Sequence, residues 1–236
     1  MHTLAIVPAL DEAATVGGVV RGLRAAGAAA VVVVDGGSSD ATAEAARRAG
    51  ATVLTEARRG YGRACLTGIA HAAALAPDAV AFADADGADD PADLAALLAP
   101  LAAGTADLVV GSRVLGARAG RVAPGALSPH QRLGNAVACG LVRARWGERW
   151  TDLGPFRAIT WPALQALGMR DTTWGWTVEM QVRAARRGLR GAEVPVAYRP
   201  RAAGASKISG SVVGSARAGA RILWTVGAHA LRPGAE

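Results

Sequence analysis

The chain has 236 residues, is apolar at 51% of positions, and carries a formal charge of +7 from 26 basic and 19 acidic residues. That length and apolar content suffice for one large domain with a full core and exclude dependence on disulfides. Cys65 and Cys139 lack metal-ligand spacing, Met1–Leu4 does not open a signal peptide, and no run of about 18 apolar residues reads as a membrane span, so a reducing cytoplasm is the expected setting.

Short apolar runs alternate with longer Ala-rich segments. Leu4–Val7, Val31–Val34, Thr52–Leu54, Ala79–Ala83 and Leu108–Val110 are predicted strands. Each is too short for a helix and apolar on both faces, as in a parallel sheet covered on both sides. Thr15–Ala26, Ala41–Ala49, Gly62–Ala76 and Pro91–Leu101 are predicted helices, the last with Pro91 in its first turn and Asp89 or Asp90 as cap. The alternation predicts right-handed βαβ units and an open, mainly parallel α/β sheet flanked by helices. Beyond Gly111 the pattern changes. Residues 113–130, rich in Gly, Arg and Pro, are predicted to be a mobile loop, and Arg132–Trp146 a helix. Phe156–Thr160 and Ala192–Tyr198 are predicted strands with a helix over Thr177–Arg187 between them. Arg199–Gly210 reads as a second loop and Val212–Leu231 as a terminal helix.

Ligands of an open α/β sheet bind beyond the carboxyl ends of its strands. The charged residues fall there: Asp11 and Glu12 after the first strand, Asp35 at the end of the second, Arg58 and Arg59 after the third, Asp84 and Asp86 after the fourth. Asp84-Ala85-Asp86 puts two carboxylates on one side of an extended chain. They repel unless a cation lies nearby, and Mg²⁺ or Mn²⁺ takes such oxygen ligands while leaving room for substrate phosphates. The competing reading, an acidic turn capping the Pro91 helix, is already served by Asp89, Asp90 and Asp93. Asp35 can accept from a base N–H or a ribose hydroxyl, whereas Ser38, Ser39 and Asp40 suit helix capping. Arg59-Gly60-Tyr61-Gly62 opens a helix and suits a phosphate or nucleotide. It follows the third strand and ends at Cys65 instead of glycine, so it is not a dinucleotide fingerprint. Lys207 is the only lysine among the basic residues, and a compact point charge in a small-residue loop suits a phosphate. Trp174 and Trp176 read either as stacking surfaces for sugar or lipid or as core. His229 is expected on the surface.

Val7-Pro8-Ala9-Leu10-Asp11-Glu12, Val34-Asp35-Gly36-Gly37-Ser38-Ser39-Asp40, Asp84-Ala85-Asp86-Gly87 and Gly111-Ser112-Arg113 together resemble family 2 glycosyltransferases with the GT-A fold. Thr151–Arg157, Gly175–Met180 and Ser206-Lys207-Ile208-Ser209-Gly210 resemble, more loosely, the polyprenyl- or dolichyl-phosphate mannosyl- and glucosyltransferase branch. The resemblance implies one GT-A domain over 1–236: a nucleotide-sugar half at 1–112, an acceptor half at 113–210 and a helical tail at 211–236. It implies that Pro8, Ala9, Asp11, Glu12, Asp35 and Arg59 line the pocket for a UDP- or GDP-linked sugar. Asp84 and Asp86 would face the metal and diphosphate. Arg113, Arg132, Arg157, Trp176, Ser206 and Lys207 would meet the acceptor, with Asp86, Arg113 and Lys207 closest to the reaction. Gly36 replaces a frequent second aspartate, and Ala88 stands where lipid-phosphate relatives often place a glutamine.

The implied reaction is an inverting, in-line displacement of nucleoside diphosphate by an acceptor. Relatives that act on hydroxyls often carry an acid two positions before the glutamate that aligns with Glu179, and Thr177 stands there. A phosphate acceptor is already ionised and needs no general base, so a polyprenyl phosphate is the favoured acceptor, reached from the membrane surface. The terminal helix either lies on the inner face of the membrane or packs on the body. The alternatives are transfer to a small-molecule or glycan hydroxyl, a sugar-1-phosphate nucleotidyltransferase, which would want a Gly-rich, Arg-bearing loop after the first strand, and a non-catalytic nucleotide or nucleic-acid binder. Nucleic acid is not among the expected partners.

Overall fold

The computed structural model describes residues 1–201 and 212–230, with residues 212–218 and 230 described by backbone alone. The apolar runs form β1 (Thr3–Ala9), β2 (Ala30–Asp35), β3 (Thr52–Thr55), β4 (Ala79–Phe82) and β5 (Leu108–Ser112). β1, β4 and β5 are buried at every residue, while β3, at one sheet edge, is half exposed. This is the outcome expected when both sheet faces are covered.

The helices are α1 (Val16–Ala25), α2 (Thr42–Arg48), α3 (Tyr61–Leu75), α4 (Leu94–Ala102), α5 (Arg113–Arg118), α6 (Pro129–Trp146), α7 (Trp161–Leu167), α8 (Trp176–Arg186) and α9 (Val212–Ala230). α1 buries Val16, Val19, Val20 and Leu23, the stripe its spacing dictates. A 3-10 turn at Pro91–Asp93 leads into α4, and Asp90 caps it by accepting from the Ala92 amide at 3.1 Å.

Two strands complete the sheet, β6 (Arg157–Thr160) and β7 (Gly191–Pro195), in the order β3-β2-β1-β4-β6-β5-β7. β6 runs antiparallel to both β4 and β5, and β7 runs parallel to β5. The predicted strand at Ala192–Tyr198 is therefore shorter. Tyr198 makes only isolated bridges, to Asp89 and Val122.

The segment 113–130 is not one loop. α5 forms directly on the end of β5, where the Ser112 hydroxyl accepts from the Leu115 amide at 3.0 Å. α6 starts at Pro129 behind a Ser128/Gln131 capping box.

One apolar core lies on the sheet face covered by α3, α6, α7, α8 and α9, the other on the face covered by α1, α2 and α4. Close backbone approach binds the halves. A Cβ on Gly62 would run into the carbonyl of Asp171, and one on Gly154 into the carbonyl of Gly111.

Candidate active site

Asp11, Glu12 and Asp35 leave neighbouring parallel strands, and the turns that follow knit them together. The Ser38 hydroxyl donates to Asp35 and accepts from the Asp11 amide at 2.9 Å, and the Ser39 amide donates to Asp11 Oδ1 at 2.7 Å. Asp11 is thereby held in the left-handed region, with φ of 51°. A non-glycine residue holds that conformation only where its surroundings enforce it. The Glu12 amide donates to Thr42 Oγ1 at 2.7 Å, which ties the β1 turn to α2. Ser38 and Ser39 thus brace the β1 turn, while Asp40 does both jobs: it accepts from the Ala13 amide at 3.1 Å and from the Thr42 amide that opens α2 at 3.0 Å.

The link from this pocket to the second acidic group is Arg201. Its guanidinium donates to Glu12 Oε1 and pairs with Asp86 Oδ2 at 3.0 Å. Contacts therefore run without a break from Asp35 through Ser38, Asp11, Glu12 and Arg201 to Asp86. The carboxylates that follow β1, β2 and β4 share one rim, as the strand-end pattern predicts.

Asp86 Oδ1 also accepts from the Ala88 amide at 2.9 Å. Asp84 is half-buried, and its Oδ1 is enclosed without a hydrogen bond. Burial, reinforced by the Asp86 charge, pushes its carboxyl up to about 7. Tyr61 and Cys65 on α3 lie within electrostatic reach of Asp84, and burial drives both their acidities down.

Of the two caps the sequence allows before Pro91, Asp89 and Asp90, the structure uses Asp90. Asp93 holds Arg121 at 2.6 Å and the Ala197 amide at 2.7 Å. Asp89 is buried with neither carboxylate oxygen bonded, and burial with Asp84 nearby pushes its carboxyl well up. Enclosed carboxylate oxygens that lack donors are costly unless a proton or cation meets them. Among the described residues no three acidic, His or Cys side chains converge as a ready cage. The donor set present, Asp84 with an oxygen that accepts from no donor beside Asp86, whose Oδ2 is paired with Arg201, fits an oxygen-liganded Mg²⁺ or Mn²⁺ whose shell is completed by water and phosphate.

Arg113 stands at the first position of α5. Its side chain makes two parallel hydrogen bonds to Asp152, both 2.8 Å, and its amide makes a third at 2.8 Å. It also lies over the Tyr198 ring, 5.2 Å from the centroid. Burial opposes the cation, but Asp152 outweighs it and holds the guanidinium firmly charged. That charge is felt at Asp84 and Asp89. Pro8 and Ala9 are buried at the end of β1, whereas Arg59 and Arg132 are exposed. Ser206 and Lys207 lie outside the described residues.

Two residues expected at the acceptor lie in the interior instead. Arg157 is fully buried and spends its guanidinium on the carbonyls of Leu153, Gly154 and Thr177, and burial lowers it to about 10. Trp176 is fully buried and packs edge-on against Phe82, with ring centroids 4.6 Å apart, and Tyr61 at 6.1 Å. Glu179 pairs with Arg183 at 2.8 Å and accepts the amides of Arg170 and Asp171. His229, expected at the surface, is buried beside Arg186.

Sequence reasoning missed Asp89 and Arg201. Asp89 could have been flagged because Asp90 alone precedes Pro91 as a cap. Arg201 carried no signal, since its partners lie 115 or more residues away in the chain.

The glycosyl transferase family 2 sequence model matches residues 4–161. The chain is 42% identical over 177 residues to an uncharacterised glycosyltransferase of Mycobacterium tuberculosis, an alignment that covers 75% of this chain and 76% of that protein. It is 35% identical over 164 residues to the undecaprenyl-phosphate mannosyltransferase of Micrococcus luteus, covering 66% and 64%. Glucosyl-3-phosphoglycerate synthase from Mycobacterium tuberculosis, solved with phosphoglyceric acid, superposes with a TM-score of 0.78 at 21% identity over 98% of this chain and 81% of that one. The same enzyme solved with Mn²⁺, UDP and phosphoglyceric acid gives 0.76 at 21% identity, covering 98% and 79%. The fold is the GT-A arrangement, and by the family match over more than half its length the chain belongs to glycosyl transferase family 2.

Proposed function

We propose that this glycosyltransferase moves a hexose, with inversion, from a UDP- or GDP-linked sugar to a polyprenyl phosphate, with Mg²⁺ or Mn²⁺ held by Asp84 and Asp86. The observation that carries the reading is the acidic rim itself: Glu12 and Asp86 share one arginine, and Asp84 and Asp89 keep enclosed oxygens without donors. Asp11, Glu12 and Asp35, with Pro8 and Ala9 beneath, offer acceptors to a base and ribose. A divalent cation here would neutralise charge on the departing diphosphate.

In the displacement, an acceptor phosphate oxygen bonds to the anomeric carbon. The bond from that carbon to the diphosphate oxygen breaks, and the nucleoside diphosphate leaves with the electron pair. The phosphate monoester is ionised, so no proton has to be taken from it. The engagement of Glu179 by Arg183 and two amides fits this, because a carboxylate so committed is not available to deprotonate a hydroxyl. Arg113, fixed by Asp152, supplies a rigid positive charge beside the reacting phosphates, and Lys207 with Ser206 would add to it. Arg201 neutralises Glu12 and Asp86, the carboxylates that would otherwise repel a diphosphate at this rim. The lipid acceptor is supported by the Micrococcus luteus relative and by the loop motif at Ser206-Lys207. The enzyme would work at the cytoplasmic face of a membrane.

The test is a thermal-shift screen of UDP, GDP and dTDP with and without Mn²⁺, followed by transfer from the selected labelled nucleotide sugar. A ligand that binds only the folded state raises its melting temperature by mass action. Expected is a metal-dependent shift that Asp86→Ala abolishes, and a lipid-phosphate product. Transfer to a hydroxyl acceptor but not to a short-chain polyprenyl phosphate would reassign the acceptor. Full turnover by Asp86→Ala would overturn the metal assignment.

A further inference from the structure

Exposed large apolar side chains are not scattered over this protein. Among the described residues they are Met1, Leu75, Leu133, Val137, Leu141, Leu223 and Trp224. Five of these seven belong to α6 and α9, two helices that pack against each other. Leu133, Val137 and Leu141 recur every four residues, so they form one stripe along α6. Exposed Gly140 and Ala144 extend it. The opposite face of the same helix, Ala138, Cys139 and Val142, is buried in the core. α6 is therefore apolar on two opposite sides, one packed and one facing out. On α9, Leu223 and Trp224 are exposed, and Arg221 lies 4.5 Å from the Trp224 ring centroid.

The charge on these helices has one sign. Arg132, Arg143 and Arg145 are exposed on α6, and neither Pro129–Trp146 nor Val212–Ala230 contains an Asp or Glu. At 100° per residue, Arg145 falls on one flank of the stripe and Arg132 and Arg143 on the other. An apolar band with arginine on both flanks, and an exposed tryptophan stacked on arginine on the helix packed beside it, match a boundary between acyl chains and anionic headgroups. A second copy of this chain would set arginine against arginine with no acid on either helix to offset them. Among the described residues no helix is long and apolar enough to cross a membrane.

We infer that the outward faces of α6 and α9, through Leu133, Val137, Leu141, Leu223 and Trp224, seat the protein on an anionic lipid bilayer. The seat adjoins the catalytic rim. Asn135 on α6 donates to the Thr151 carbonyl and accepts from the Leu153 amide, both at 2.8 Å, and so clamps the segment whose Asp152 holds Arg113. The chain that leaves Arg201 returns at Val212 into α9. A bilayer touching α6 and α9 would thus meet the protein beside its acceptor half. The inference stands on this surface alone and does not require a lipid acceptor.

The test is co-sedimentation of the full chain, without substrate, with phosphatidylcholine vesicles containing or lacking phosphatidylglycerol. Expected is pelleting that needs phosphatidylglycerol and weakens with salt. The double variant Val137→Glu/Leu141→Gln should lower the partition coefficient by at least about tenfold. Arg143→Glu/Arg145→Glu should lose about fivefold per position. All four positions are exposed, so melting temperature and the nucleotide-induced shift should not change; this separates loss of the seat from loss of the nucleotide site. Failure to pellet, or pelleting that neither variant alters, overturns the inference. So does a dimer in sedimentation equilibrium that Val137→Glu/Leu141→Gln dissociates while vesicle binding is absent, which would assign the face to a second copy.

Discussion

Asp84 offers the sharpest test of the metal reading, because its proton and a divalent cation compete for one carboxylate. Its carboxyl lies at about 7 in the folded protein, against 3.8 in a solvated chain, through burial first and the Asp86 charge second. A folded value raised above the unfolded one favours the protonated folded form. Stability is therefore lost as pH rises from the unfolded value toward 7, and the loss is complete above it. Between about pH 5.5 and pH 8 the loss is roughly 2 kcal/mol at 1.36 kcal/mol per pH unit, or about 4–8 °C in melting temperature for a chain of this length. Asp84→Asn removes the ionisation, so the melting temperature of the parent should fall relative to this variant across that window. Cation binding runs the other way. At about pH 6 only about one site in eleven is ionised, so Mn²⁺ affinity in the presence of UDP should be about tenfold weaker than at pH 8. Binding near pH 6 should release close to one proton, read by calorimetry in buffers of different ionisation enthalpy. Parallel melting curves for parent and Asp84→Asn, or equal Mn²⁺ affinity at both pH values, would refute the reasoning.

Arg113→Ala strips the partner from a buried carboxylate and should cost about 3–5 kcal/mol, seen as a melting temperature lower by about 6–20 °C with turnover lost. Arg201→Gln frees Asp86 and Glu12 from their cation. Calorimetry without nucleotide should show Mn²⁺ binding tightened by about tenfold, and weaker binding would contradict the competition. Trp176→Phe, at a fully buried ring against Phe82, should lower stability by about 1–3 kcal/mol while leaving the donor KM unchanged. A raised KM with unchanged stability would return Trp176 to the substrate.

Much of the nucleotide half was legible because the physics there is local. Strands such as Val31–Val34 and Ala79–Phe82 are apolar on both faces, which a chain does only when both faces are covered. The polar residue that ends each run then has to project at the sheet rim, so Asp35, Asp84 and Asp86 could be placed by pattern. Pro91 with Asp90 before it marked a helix start for an equally local reason.

Tertiary structure decided what depends on direction and distance. The strand at 157–160 is apolar enough for either orientation, and only its pairing between β4 and β5 made it antiparallel. The Gly- and Arg-rich composition after Ser112 suggested a loop, but Asp152, 39 residues on, clamps Arg113 at the start of a helix. A motif gives the position of Arg157 or Trp176 along the chain and not the side on which it emerges, and both turned inward. Capping and burial place identical demands on the composition around Asp89. What separates them is whether an amide or a neighbouring carboxylate lies within a few ångströms. A run of residue types encodes periodicity, and with it strands, helices and rim positions. Which charges meet is set by loop closure over tens to hundreds of residues, and only the folded packing supplies that.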